Sequence, residues 1–282
     1  MSVFRKKKFF NDLRYLRDDI IVDVSIIMPC FNSANYLDKA VYSVINQTFQ
    51  DWELLICDDG SSDGSIKLAK AWAKRHEKIF FYHNKFEKGA AGARNTCLSH
   101  ARGRYIAFLD SDDIWLPQKI DSQLRFMADT NASFVFGYCE NMSQRGVARS
   151  VTKAPAAVSL KKLFISNFIP CLTVIYDSAV LGKVEQPYIE RRNDFALWLK
   201  ILAANPGLEA RCYPRVIARY RVNSYGLSAK KISSIWYFYR CLREYGGLGS
   251  PAACFFTLSG VMFKILKTVN PWAHNILVSK VL

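Results

Sequence analysis

This 282-residue chain is poor in acidic residues, histidines and long apolar runs, and each shortage excludes something. Only 24 Asp and Glu stand against 39 Lys and Arg, a formal charge of +15. That excess calls for an anionic neighbour, whether surface, substrate or polymer. Four histidines without local pairing give no zinc signature. Eight cysteines (Cys30, Cys57, Cys97, Cys139, Cys171, Cys212, Cys241, Cys254) contain no CxxC pair, sit mostly among apolar neighbours and read as reduced thiols. No GxGxxG and no GxxxxGK[ST] occurs, so dinucleotide and Walker-type ATP sites are excluded. In the C-terminal region the longest uncharged run is shorter than the ~18 residues a spanning helix needs. The basic start, "MSVFRKKKFFNDLRYLRDD", has no apolar stretch behind it. The expectation is therefore no cleaved signal peptide and a cytoplasmic location, where the Asn-x-Ser/Thr triplets at Asn46, Asn131 and Asn141 carry no glycan.

What is present is a packed globular composition, 50% hydrophobic and 22% charged. From Asp23 short β-branched runs alternate with helical periods: "VSIIMP", "SANYLDKAVYSVINQ", "WELLICDD", "SIKLAKAWAKRH", "IFFYHN". A Gly and Ala segment, a strand "YIAFLD" and a helix after Pro117 follow, the helix with Ile120, Leu124 and Met127 on one face. Strands alternating with helices predict an α/β fold with a mainly parallel sheet covered on both faces. Ligands of such sheets bind beyond the carboxyl ends of the strands.

Two acidic clusters fall at those ends: Asp58 and Asp59 after "WELLIC", and Asp110, Asp112 and Asp113 after "YIAFL". Either alone is accounted for by a turn, because Asp and Gly favour turns locally. Both together, brought to one crevice, predict a crowd of carboxylates that a hard divalent cation, Mg²⁺ or Mn²⁺, relieves. Such ions take one or two carboxylates and complete their shell with substrate phosphates. Arg94 and Asn95, after the loop from Gly89 to Gly92 and before a helix, are suited to an anionic or polar ligand.

Three segments, "VSIIMPCFNSANYLDKAVYSVINQTFQDWELLICDDGSSDGS", "GAAGARNTCLSHARGRYIAFLDSDDIWLPQKI" and "NDFALWLKIL", carry a resemblance to the family 2 glycosyltransferases of the GT-A fold, in their bacterial surface-polysaccharide branch. They span most of Asp23 to Leu202. The resemblance implies an α-linked nucleotide diphosphate sugar, usually of uridine, a metal at an Asp-x-Asp turn and inversion at the anomeric carbon. It sets Pro29 and Phe31 beside the nucleotide, Asp58 and Asp59 at base and ribose, and Arg94 next to them. Asp110 and Asp112 match the Asp-x-Asp pair, with Asp112 as the direct metal ligand and Asp110 serving donor and metal. Asp194, ahead of Trp198, matches the catalytic base, although Asn193 stands where many relatives carry Glu. Glu190 is a rival for that role, and Asp194 also reads as the N-cap of a helix bearing Leu197, Trp198 and Ile201.

On the acceptor side "LTVIYDS" reads as a strand, Glu190, Trp198 and Arg221 are placed toward the acceptor or the diphosphate, and Arg219, Arg221, Ser224 and Lys230 read as donors able to close over a diphosphate, or as a solvated basic loop. The tail from Ser250 reads as an interfacial amphipathic helix or as a helix docked on the core. The expected organisation is a basic extension (1–22), a GT-A catalytic domain (23–225) and a helical part (226–282) touching the cytoplasmic face of an inner membrane. The expected partners are a nucleotide diphosphate sugar, a lipid-linked acceptor glycan in O-antigen, capsule or lipopolysaccharide assembly, and an anionic membrane surface. A sugar-nucleotide binder without turnover would have no use for Asp194. A nucleic-acid module would leave the acidic turns without purpose, and no nucleic acid is expected.

Overall fold

The computed structural model describes residues 22–222 and 231–270. The basic extension apart from Val22, the proposed donors Ser224 and Lys230, and the end of the tail from 271 lie outside the described residues.

"VSIIMPC" forms β1 (Val24–Cys30), buried along its whole length, as befits a strand covered on both faces. There follow α1 (Leu37–Ile45), β2 (Trp52–Asp58), α2 (Ser65–Arg75), β3 (Ile79–His83), α3 (Ala90–His100) and β4 (Tyr105–Phe108). In α1 the buried residues are Leu37, Ala40, Val41 and Val44, the stripe that 3.6 residues per turn places on one side. β1 lies between β2 and β4, parallel to both, and β2 is parallel to β3. The register sets Cys30 opposite Asp58 and Ile27 opposite Phe108. The acidic turns that follow β2 and β4 therefore open on the same edge of the sheet.

The second half consists of β5 (Ile114–Trp115), α4 (Lys119–Thr130), β6 (Phe134–Met142), β7 (Ala148–Thr152), β8 (Ala157–Val158), α5 (Leu160–Leu163), a 3₁₀ turn (Cys171–Thr173), β9 (Ile175–Asp177), α6 (Ser178–Leu181), α7 (Asn193–Ala204) and β10 (Ala210–Arg221). One ten-stranded sheet results, in the order β3-β2-β1-β4-β9-β6-β10-β5, with β7 added on β6 and β8 on β10. Here the pairing is mixed. β9, the strand expected in "LTVIYDS", runs antiparallel to β4 and β6, whereas β6 and β10 are parallel. The parallel half carries the two acidic turns, and the mixed half walls the other side of the same edge.

A buried polar network ties α4 to the 3₁₀ turn. The fully buried Lys119 donates to Gln123 Oε1 at 2.8 Å and lies 4.0 Å from the Trp115 ring centroid. Burial drives its pKa well below the usual lysine value. Gln123 Nε2 and Trp115 Nε1 donate to the carbonyls of Thr173 and Leu172, both at 2.8 Å.

Two helices end the described chain, α8 (Lys231–Glu244) and α9 (Ser250–Val269). Both join the core that contains α7: Phe238 stacks on Phe195 at 5.0 Å, Cys241 and Leu242 are fully buried, and Phe256 meets Phe164 at 5.3 Å. α9 thus docks on the domain with one side while Phe255, Leu258 and Met262 stand exposed on the other, and Ile265 and Val269, also exposed, border the cavity described below. Among the described residues no helix is long and apolar enough to cross a membrane. Gly260 permits the docking, since a Cβ there would come 2.7 Å from the carbonyl oxygen of Ile165. Gly260→Val is expected to cost about 1–3 kcal/mol by overpacking. Thermal melting together with faster proteolytic release of α9 checks it; an unchanged melting temperature and cleavage rate would refute the contact.

Candidate active site

The edge where β1, β2 and β4 end opens into a cavity of about 1470 Å³. Local sequence chemistry builds its floor. The 31–34 loop is knitted to the 61–65 turn by Asn32 N donating to Ser61 Oγ (2.9 Å), Ser62 N to Asn32 Oδ1 (2.9 Å), Ser33 N to Ser65 Oγ (2.8 Å) and Ala34 N to Asp63 Oδ2 (2.9 Å). Asn32 takes the left-handed conformation this requires (φ 47°), for which Asn is among the better suited residues.

Asp58 and Asp59, adjacent in sequence, do different things. Asp58 is buried and does not line the cavity. Its Oδ2 accepts from Gly60 N (2.9 Å) and Ser61 N (3.0 Å), which makes it the acceptor that shapes the turn. The donor contact anticipated for Asp58 is thereby replaced with a turn-forming role. Asp59 faces the cavity, its carboxylate oriented by Asn84 Nδ2 (2.6 Å) and Gly89 N (2.8 Å). Pro29 lines the same end, and the half-exposed Phe31 sits there with Lys88 5.7 Å from its ring centroid.

The second acidic turn is organised from α3. Arg94, buried in the first half of that helix, donates from Nη2 to Asp110 Oδ1 (2.6 Å) and from Nη1 to Asn193 Oδ1 (3.0 Å). Its guanidinium pKa is raised against the cost of burial, chiefly by Asp110. Asn95 instead points into the protein and exchanges hydrogen bonds with the backbone of Gln186 (3.0 and 2.7 Å), so it is a strut and not a ligand contact. Burial, then the neighbouring Asp110, push the Asp112 carboxyl up to about 6. Asp113 is buried where it borders the cavity and accepts from Arg221 N at 2.7 Å. Arg221 does not line the cavity: it donates to the carbonyls of Asp112 (2.7 Å) and Gln144 (2.6 Å) and lies over Tyr36. Arg219 is paired with Glu140 at 2.9 Å. The reading of these arginines as diphosphate donors gives way to bonds within the second turn and along β10.

Asp194 lines the cavity opposite these turns. The cap of α7 is Arg192, in the left-handed region (φ 61°), so Asp194 lies in the first turn and is not the N-cap anticipated. Burial raises its pKa, while the Phe195 N–H, Arg94 and Arg192 oppose the rise. Asn167 Nδ2 donates to its Oδ2 at 3.2 Å. Glu190 also borders the cavity but is exposed, accepts from Tyr237 Oη and lies 3.8 Å from Arg191. Trp198 is fully buried between Phe108 and Phe134 and belongs to the core, away from the acceptor side. Lys88, Asn167 and Arg192 border or orient the site without having been singled out from the sequence, and Lys264 on the tail helix borders it too. They are isolated polar residues in loops or on a tail helix, and no spacing marks them.

Residues 25–170 match the profile described as Glycosyl transferase family 2. The chain is 37% identical over 218 residues, 77% of its length and 83% of the relative's, to the Escherichia coli UDP-Glc:alpha-D-GlcNAc-diphosphoundecaprenol beta-1,3-glucosyltransferase WfgD. This chain belongs to glycosyl transferase family 2. Its fold is similar to that of S. aureus TarS solved with UDP-GlcNAc (TM-score 0.65, 19% identity, 88% of this chain and 74% of that one). It is also similar to the mannosyltransferase PcManGT of Pyrobaculum calidifontis solved with GDP-Man and Mn²⁺ (TM-score 0.61, 17% identity, 97% and 84%). These likenesses bear on the fold, which is the GT-A arrangement expected of the sequence. In this family 2 glycosyltransferase the matched segment ends before Asp194, Arg192 and both C-terminal helices, which complete the cavity.

Because Asp58 holds its turn through two backbone N–H groups, Asp58→Ala is expected to lower stability by about 1–3 kcal/mol. The urea midpoint should fall with the slope unchanged. An unchanged midpoint with lost UDP affinity would return Asp58 to the ligand.

Proposed function

We propose that this glycosyltransferase transfers a sugar, with inversion, from a nucleoside diphosphate donor of the UDP-sugar class to a hydroxyl of a lipid-diphosphate-linked glycan in bacterial surface-polysaccharide assembly. The observation that carries the reading is a desolvated carboxylate, Asp194, sharing one cavity with Asp59 and the Asp110–Asp112 turn. The acceptor class is supported by the 37% identity to WfgD, whose name specifies a GlcNAc-diphosphoundecaprenol acceptor. The proposed place of work is the cytoplasmic face of a membrane, with the exposed apolar side of α9 toward the lipid. In this reading the helices after residue 225 are a working part of the site.

At the donor end, Phe31 offers an exposed ring face to a base, and Asp59, fixed by two donors, retains lone pairs for ribose or base N–H groups. Asp110 and Asp112 fit a hard divalent cation, Mn²⁺ or Mg²⁺: two crowded carboxylates are what such an ion takes when phosphate and water complete its shell. Among the described residues no group of three or more His, Cys, Asp or Glu is placed to hold a metal ion. When bound, the cation offsets the negative charge that develops on the departing diphosphate.

At the acceptor end, Asp194 takes the proton from the attacking hydroxyl. Burial makes its carboxylate a stronger base than an exposed one, while the Phe195 N–H, Arg94 and Arg192 favour its charged form. The bonds from Asn167 and from the Phe195 N–H aim the carboxylate, whose oxygens keep further lone pairs for the substrate. The oxygen–anomeric carbon bond then forms as the carbon–diphosphate bond breaks on the opposite face. A single displacement inverts the centre.

Asp194→Asn is expected to lower turnover about 10²-fold or more while UDP affinity survives, since shape and the Asn167 contact are largely kept. Steady-state kinetics with UDP titration check it; retained turnover, with Glu190→Gln abolishing it instead, would move the base. Asp112→Asn is expected to lower transfer by a similar factor, on the order of 10²-fold, and raise the metal concentration needed for half activity, with folding unimpaired because a crowded charge is removed. Full activity of wild type in chelator would overturn this assignment.

A further inference from the structure

The cavity is larger than the roughly 300–1,000 Å³ that serves one small ligand, and the donor residues occupy only one end of it. From Asp194 it continues between α8 and α9 to Ile235, Phe238, Val261, Ile265 and Val269. On α9 the lining residues Thr257, Gly260, Val261, Lys264 and Ile265 follow at intervals of three, one, three and one, the stripe a helix turns to one side. This stripe is apolar except for the hydroxyl of Thr257 and for Lys264.

Cations gather where the polar end meets the apolar one. Arg192, two residues before Asp194, is clamped by Nε to Ser234 O (2.9 Å) and by Nη2 to Ser234 Oγ (2.5 Å), and its guanidinium lies 5.3 Å from the Phe238 ring centroid. It is held there in a left-handed conformation that costs a β-carbon residue energy and that α7 and α8 jointly impose. Lys264 lines the same cavity while remaining solvent-accessible, its pKa lowered by partial desolvation and by the charge of Arg192. Arg191 adds a third cation, and the facing anions are Asp194 and Glu190, the latter already hydrogen-bonded to Tyr237. Two cations brought close enough to repel, at the mouth of an apolar trough and next to the base, complement an anion that bears a hydrocarbon chain.

We infer that Arg192 and Lys264, with the apolar stripe of α9 and its α8 neighbours Ile235 and Phe238, form a binding site for a lipid diphosphate: the anion at the cationic junction, the first hydrocarbon units in the trough. The inference rests on the functional reading above and deepens it, because a sugar hydroxyl at Asp194 has its own diphosphate and lipid to accommodate on the acceptor side. It makes the tail helices the recognition element for the lipid carrier, separate from the donor's diphosphate at Asp110 and Asp112. Charge-assisted bonds from the clamped Arg192 and from Lys264 select the diphosphate, and burial of the first methyl-branched units selects the lipid.

Binding of geranylgeranyl diphosphate to the full chain, with excess UDP filling the donor end, tests this by calorimetry against inorganic diphosphate and geranylgeraniol. The prenyl diphosphate is expected to bind roughly tenfold or more tighter than either half. Lys264→Gln and Arg192→Gln should each weaken it by about 5–10-fold without affecting geranylgeraniol. Val261→Asp should weaken both lipid probes and leave inorganic diphosphate unchanged. Should Arg192→Gln disturb the α7–α8 join, seen as lost UDP affinity, the exposed Lys264 still decides. Equal binding of diphosphate with and without the prenyl chain, or unaltered binding in both Lys264→Gln and Val261→Asp, would overturn the inference. No turnover is needed, so the two proposals fail separately: probe binding without sugar transfer would sink only the functional reading, and transfer without probe binding only this one.

Discussion

The cavity floor depends on how one buried guanidinium is shared. Arg94 comes from α3, binds Asp110 at the end of β4 and binds Asn193 in the first turn of α7, so it joins the metal turn to the helix that carries the base. Without a cation there, Asp110, Asp112, Asp113 and Asp194 would repel across a space from which water is largely removed, and desolvation already pushes three of them upward in pKa. A paired buried charge is close to neutral in stability, but deleting one partner leaves the other uncompensated at a cost of about 3–5 kcal/mol. Arg94 is therefore as much a condition for assembling the acids as a contact for any ligand.

The same economy separates Asp58 from Asp59 and Asp112 from Asp113. In each pair the more deeply buried carboxylate, Asp58 or Asp113, accepts from backbone N–H groups; of the first pair only Asp59 lines the cavity, whereas Asp112 and Asp113 both border it. Adjacent residues leaving a strand point to opposite sides, so one builds the loop and the other is presented by it. This is why Asp58 looked from the sequence like a ligand. Two adjacent aspartates are chemically identical letters, and only the hydrogen bonds of Gly60 and Ser61 tell them apart.

Legibility in the sequence followed the range of the interactions involved. The parallel half of the sheet was readable because strand and helix periods alternate locally there, and with it came both acidic turns and the edge they share. The antiparallel pairing of β9 depends on partners about seventy residues away in β4, and no local period encodes that. Trp198 and Arg221 were misplaced for a related reason: a Trp on an apolar face and an Arg in a basic strand read equally well as contact or as scaffold. Their neighbours, Phe108 and Phe134 for the one and the Asp112 and Gln144 carbonyls for the other, come from distant segments. The junction of Arg192 and Lys264 left no signal because its meaning lies in the approach of α7, α8 and α9.

The position of Asp194 within α7 shows how local and distant constraints combine. As an N-cap it would spend its carboxylate on the N–H groups of the helix and have less to offer an incoming hydroxyl. Two positions after the cap it lies in the first turn, where the helix dipole and the Phe195 N–H favour the charged form. Capping by Arg192 is poor in hydrogen bonds and uses a left-handed backbone, so it gains nothing locally. What holds it is the clamp on Ser234 and the ring of Phe238. α8 thus holds Arg192, and through it the start of the helix that carries the base, in register with the acidic turns.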